Sequence, residues 1–117
     1  MIEFSELKGK TLTRIDGLSV GSEEVIFHCK DNSKYKMFHI RDCCEYVDVN
    51  EIHGDINDLL DTEILLAEEV TDIGDIAIGS YTWTFYKLST IKGDVTIKWY
   101  GESNGYYSER VDIEKIA

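Results

Sequence analysis

The chain has no proline among its 117 residues, no low-complexity tract and no internal repeat. Without them there is no stiff linker, no polyproline recognition segment and no place to cut the chain, so residues 1–117 read as one domain. A hydrophobic content of 43% is enough for that domain to bury a core without disulfide or metal staples. Long apolar runs are also missing. The longest, Ile64-Leu65-Leu66-Ala67, is far short of a membrane span, and MIEFSELKGK lacks the basic start and apolar stretch of a secretory signal. Only three cysteines are present, an odd number that fits a reducing compartment better than a disulfide framework. These absences predict a soluble, intracellular protein, off the membrane.

The absence with the largest physical consequence is that of positive charge between Asp42 and Tyr86. That segment holds no lysine or arginine and twelve acids, so it carries the whole of the net charge of −11. Such a field disfavours nucleic acid and anionic membrane and favours cationic partners or divalent cations. Solvation of one side of a small domain accounts for such a run equally well.

Glycine and Asn/Asp-rich breaks divide the rest into segments that mostly alternate, the β period. The expected class is mainly β: a single domain of antiparallel hairpins with a C-terminal three-stranded meander and a short helix near 55–61. Taking Asp31-Asn32-Ser33 as a loop pairs Cys29 with Tyr35, Phe27 with Met37 and Val25 with His39, and places all six on one face. Strands near 80–90, 94–101 and 106–113 would form the meander, the first two joined at Lys92-Gly93. Ser103-Asn104-Gly105 would close the last hairpin, with Gly105 left-handed, Ile97 against Val111 and Val95 against Ile113. One face would then carry Tyr81, Trp83, Phe85, Val95, Ile97, Trp99, Val111 and Ile113. Glu109 falls on it too, opposite Trp99. An acid there is either at the rim with its head in water, the more common case, or a functional group. Asp55 caps the short helix in this reading, and TEILLAEEVT continues as a strand.

HIRDCCE, with His39, Asp42, Cys43 and Cys44, is a weak pattern for a metal or thiol site. Zinc-binding cysteines are usually spaced C-x2-C, whereas adjacent cysteines in an extended chain point to opposite sides. A thiolate gains little here, because Asp42 and Glu45 offset Arg41. A strand-to-strand corner in which the cysteines pack as small hydrophobes is the favoured alternative. Motifs for nucleotide binding, serine hydrolysis, zinc proteolysis and EF-hand calcium are missing, and no cofactor is implied.

GKTLTRIDGL, VGSEEVIFH, MFHIRDCCEYV, ILLAEEVT, SYTWTFYKLSTIKGDVTIKWYGESNGYYSE and VDIEKI together resemble small uncharacterised proteins encoded by bacteriophages and prophages. DCCE and WYGESNGYYSE are the most recognisable parts, and DIGDIAIG lies between the better-matching pieces. The resemblance implies a phage or mobile-element accessory protein that is cytoplasmic in a bacterial host cell, and it brings no activity or catalytic residue with it.

Three functions remain in view. The first is a non-catalytic binding domain with a surface of Trp83, Trp99, Tyr100, Glu102, Asn104, Tyr106, Tyr107 and Glu109, where aromatics separated by polar groups can stack a ring or anchor a partner. The second is an acidic inhibitor or nucleic-acid mimic that decoys a host protein. The third, with the least behind it, is an enzyme or metal protein using His39, Asp42, Cys43 or Cys44. The partner is a protein or small molecule, and an exposed edge strand offers a route to a homodimer.

Overall fold

The computed structural model describes residues 2–117 and is mainly β, as expected. A 3-10 turn over Phe4–Leu7 precedes three strands, β1 (Leu12–Asp16), β2 (Glu24–Cys29) and β3 (Lys34–Phe38). The chain then forms β4 (Tyr46–His53), a second 3-10 turn (Ile56–Leu59), β5 (Leu66–Ile76), β6 (Gly79–Thr90) and β7 (Gly93–Ser103), and ends in β8 (Asp112–Lys115). Two antiparallel four-stranded sheets result, ordered β1-β2-β3-β8 and β4-β7-β6-β5.

The first hairpin has the expected faces but a register two residues away. Val25 pairs with Met37 and Phe27 with Tyr35. The loop is Lys30-Asp31-Asn32, closed by the Cys29 N–H on the Ser33 carbonyl, with Asn32 at φ 70° taking the left-handed position. A slip of two conserves the side-chain period, so Val25, Phe27, Cys29, Tyr35 and Met37 are all buried.

The β6–β7 hairpin departs further from expectation. Thr90 pairs with Gly93, which leaves Ile91 and Lys92 as a two-residue turn and sets Trp83 opposite Tyr100. That parity puts Tyr81, Trp83 and Phe85 on the face opposite Val95, Ile97 and Trp99. The core-facing residues of β6 are Thr84, Tyr86 and Leu88, all buried.

The third strand of the meander is also replaced. Residues 106–113 do not pair with β7: β4 takes that edge, with Val49 opposite Trp99, and β8 crosses to the first sheet, with Ile113 opposite Met37. Gly105 does adopt φ 90°, but to turn the chain away from the sheet rather than to close a hairpin. The helix expected near 55–61 is the single 3-10 turn Ile56–Leu59. Asp55 caps it by accepting from the Asn57 N–H at 2.9 Å. The following strand begins at Leu66, and DIGDIAIG forms the end of β5 and the two-residue turn into β6.

One core lies between the sheets, built from Phe27, Tyr35 and Met37 on one side and Tyr86, Leu88, Ile97 and Trp99 on the other. The sheets differ in length. Strands β5, β6 and β7 have 11, 12 and 11 residues, whereas those of the first sheet have 4 to 6. At about 3.3 Å per residue the long strands outrun the short ones by roughly 20 Å. The far half of the second sheet is therefore left uncovered on its inner side.

Candidate functional site

The predicted surface residues divide among four places. Trp83, Tyr100 and Glu102 share the outer face of the second sheet. Trp99 is on the inner face with no exposure and belongs to the core. Asn104, Tyr106 and Tyr107 lie in the segment after β7, where the Tyr106 and Tyr107 rings meet edge-on at 5.2 Å. Glu109 is on the inner side, over β6 and β7.

The outer face is an aromatic surface with acids at its margins. Strand pairing produces one cross-sheet row, Asp72–Trp83–Tyr100–Asp48, and beside it the row Gly74–Tyr81–Glu102–Tyr46. Cross-strand neighbours of this kind are in side-chain contact. Trp83 and Tyr100 have ring centroids 4.7 Å apart at 55°, and Tyr81 stacks on Tyr100 at 6.4 Å. The Tyr81 ring lies across Gly74, where a Cβ would come within 2.4 Å of it, so the glycine makes room for the ring. The Tyr100 hydroxyl donates to Glu102 at 3.0 Å and that of Tyr46 to Asp48. Burial and then Glu102 push the Tyr100 phenol up, while the hydrogen bond to Asp48 does so for Tyr46. One row away, Lys98 Nζ lies 5.7 Å from the Phe85 ring centre, so this face already holds one cation of the chain itself.

On the inner side the uncovered part of the second sheet forms one wall of a cleft of about 830 Å³, closed by residues 2–5 and 108–111. Glu109 is 7% exposed. Its carboxylate accepts from the hydroxyls of Ser80 at 2.5 Å, Thr82 at 2.9 Å and Ser103 at 2.5 Å. It is therefore neither opposite Trp99 nor at a rim with its head in water. Its backbone crosses over Gly101, the position in β7 where a side chain would block it. The small and hydroxyl residues of SYTWT and GES that form this cradle carried no signal of it, because they face one another only once β6 and β7 pair in the observed register.

The HIRDCCE segment is the crossing from β3 in one sheet to β4 in the other, a corner as expected. Its buried member is the acid. Glu45 is 1% exposed and accepts the N–H groups of Asp42 at 3.0 Å and Cys43 at 3.1 Å. Burial pushes its carboxyl up, but those two N–H groups and His39 outweigh it and hold it below its usual range. Cys43 and Cys44 are exposed and joined to each other by a disulfide, so they neither point to opposite sides nor pack as small hydrophobes. The chain bends here instead of extending, which turns both sulfurs the same way. His39 donates from Nδ1 to the Arg110 carbonyl at 2.6 Å, while its Nε2 faces Glu45 Oε2 at 3.8 Å and neither of these atoms makes a hydrogen bond. The corner is thereby tied to the segment that carries Glu109. Among the described residues no three His, Cys, Asp or Glu side chains are placed to hold one metal ion, and no helix is long and apolar enough to cross a membrane.

Fold and faces together define a single two-sheet β domain with an aromatic outer surface and a polar inner cleft. The chain belongs to the family described as Domain of unknown function (DUF7448), which matches residues 5–113. No curated protein and no solved structure matches it.

Proposed function

We propose that this is a non-catalytic phage or prophage accessory protein that binds a cationic segment of a protein partner on the outer face of its second sheet. The observation that carries the reading is the row Asp72–Trp83–Tyr100–Asp48, in which two half-buried rings are flanked by carboxylates. A Lys or Arg head laid on such a row gains cation–π attraction from the rings and Coulomb attraction from the acids. Lys98 over Phe85 is the same interaction within the chain. The phage setting is supported by the resemblance of the DCCE and WYGESNGYYSE stretches, and an intracellular place of action goes with it.

An arginine-rich hexapeptide, titrated by calorimetry into the wild type and each variant, tests this reading. In the wild type tryptophan fluorescence localises the binding, because Trp99 is fully buried and a change on titration reports Trp83. Saturable binding should weaken about tenfold in Trp83→Ala, the loss of roughly 1.4 kcal/mol that one desolvated cation–π contact supplies. Equal binding by the variant would remove the reading. Binding lost on neutralising Glu68, Asp72 and Asp75 but indifferent to Trp83 would instead favour the acidic-decoy function.

A further inference from the structure

We infer that the inner cleft is a second binding site, separate from the outer face, for a linear aliphatic polyamine. Its walls suit alkylammonium chemistry at both levels. Phe4, Ile73 and Val111 supply apolar surface for methylenes, and Thr71, Thr82 and Thr84 supply hydroxyl oxygens that accept from an ammonium group. At 830 Å³ the volume is within the range of small-molecule sites.

The charge in the cleft is strongly one-sided. Glu3, Glu69 and Glu109 line it, whereas Glu68 turns to the outer face opposite Lys87; among the described residues the lining cation is Arg110, whose guanidinium already pairs with Asp112 at 3.4 Å. Glu109 is held in place by its three hydroxyl donors before any ligand arrives. Among the described residues only the Thr82 hydroxyl is bonded to its Oε1, so that oxygen keeps a lone pair for an incoming N–H. An ammonium there would meet a preorganised acceptor and restore the charge balance of a carboxylate withdrawn from water.

The second anionic point is Glu69. It lies opposite Tyr86 across the β5–β6 pair, four positions along β5 from Ile73, which is opposite Thr82. The two carboxylates are thus about 13 Å apart along the strands, a span that suits several methylenes between two amines. Tyr86 lies beneath this point: it has no exposure, its ring packs on Phe4 at 4.6 Å, and its hydroxyl is beside the Glu69 carboxylate. Burial first, and then Glu69, push that phenol above its ordinary range, so it is a neutral donor and acceptor at any working pH.

Calorimetric titration with spermidine at fixed ionic strength tests the assignment. The expected result is saturable 1:1 binding that magnesium chloride at equal ionic strength does not displace. Glu109→Gln should weaken it at least tenfold. Thr71→Lys, an exposed change that tethers an ammonium in the cleft, should do the same, and it decides the matter if Glu109→Gln fails to fold. Trp83→Ala should leave spermidine affinity unchanged, which separates this site from the outer face. Absence of saturable binding, or binding indifferent to Thr71→Lys, would overturn the assignment and reduce the cleft's charge to an unspecific counterion sink.

Discussion

Gly101→Ala sets two effects of opposite sign against each other, and the structure decides which prevails. Where a strand glycine has room, alanine stabilises by about 0.4–1 kcal/mol because the unfolded chain loses freedom. Gly101 has an ordinary φ but no room. A Cβ there would sit 3.0 Å from Val47 Cγ2 and 3.1 Å from both the Cβ and the carbonyl oxygen of Glu109. Two of the three contacts are with chain that crosses over β7 and cannot swing aside as a side-chain tip would. Overpacking of this kind costs about 1–3 kcal/mol. For a domain of this size that lowers Tm by roughly 4–12 °C. Thermal and urea unfolding of the wild type, Gly101→Ala, Val47→Ala and the double variant would test the sign and the source. Val47→Ala alone should cost about 2 kcal/mol. The double variant should be more stable than the two losses added together, by at least about 0.5 kcal/mol, since one of the crowded methyls is gone. A Gly101→Ala protein as stable as wild type, or strictly additive losses, would refute the claim that Glu109 is seated on the bare backbone of β7.

Two further outcomes follow from local contacts. Arg14 first, and then His28, hold the Asp16 carboxyl down from its ordinary 3.8 to about 2. Since the folded value is the lower one, the stabilisation is complete above about pH 4 and is lost as pH falls toward about 2; Asp16→Asn should flatten stability across that window, and an unchanged acid limb would deny the linkage. Asp55→Ala removes the cap on the Asn57 N–H and should cost about 1 kcal/mol in chemical denaturation, whereas no loss would mean that the burial of Leu59 alone holds the 3-10 turn.

Much of the fold was legible because it rests on local alternation. The faces of the first hairpin were correct despite a wrong register, since a shift of two leaves every side chain on its side. The same rule explains the failure at β6–β7. A turn of two residues, Ile91 and Lys92, reverses the parity of the three-residue connection implied by strands ending near 90 and starting near 94, and neither Ile-Lys nor Lys-Gly declares a turn type strongly enough to choose. Trp83 and Trp99 were therefore assigned to one face when they lie on two. The corner at DCCE was legible as a corner, whereas its buried acid was not. Burial of Glu45 requires the N–H groups of Asp42 and Cys43 to converge on it, which is a property of the bend.

By itself the sequence determined the class, the single core, the periods of the strands and the concentration of charge between residues 42 and 86. Each follows from composition or from neighbours a few residues apart. Tertiary structure alone decided that β8 leaves its sequence neighbour β7 and pairs with β3, 74 to 80 residues earlier. It also decided that long strands outrun short ones to leave a cleft, and that Ser80, Thr82 and Ser103 converge on Glu109. Such contacts are selected by the competition of whole sheets for one core, a sum over many residues that no local pattern encodes.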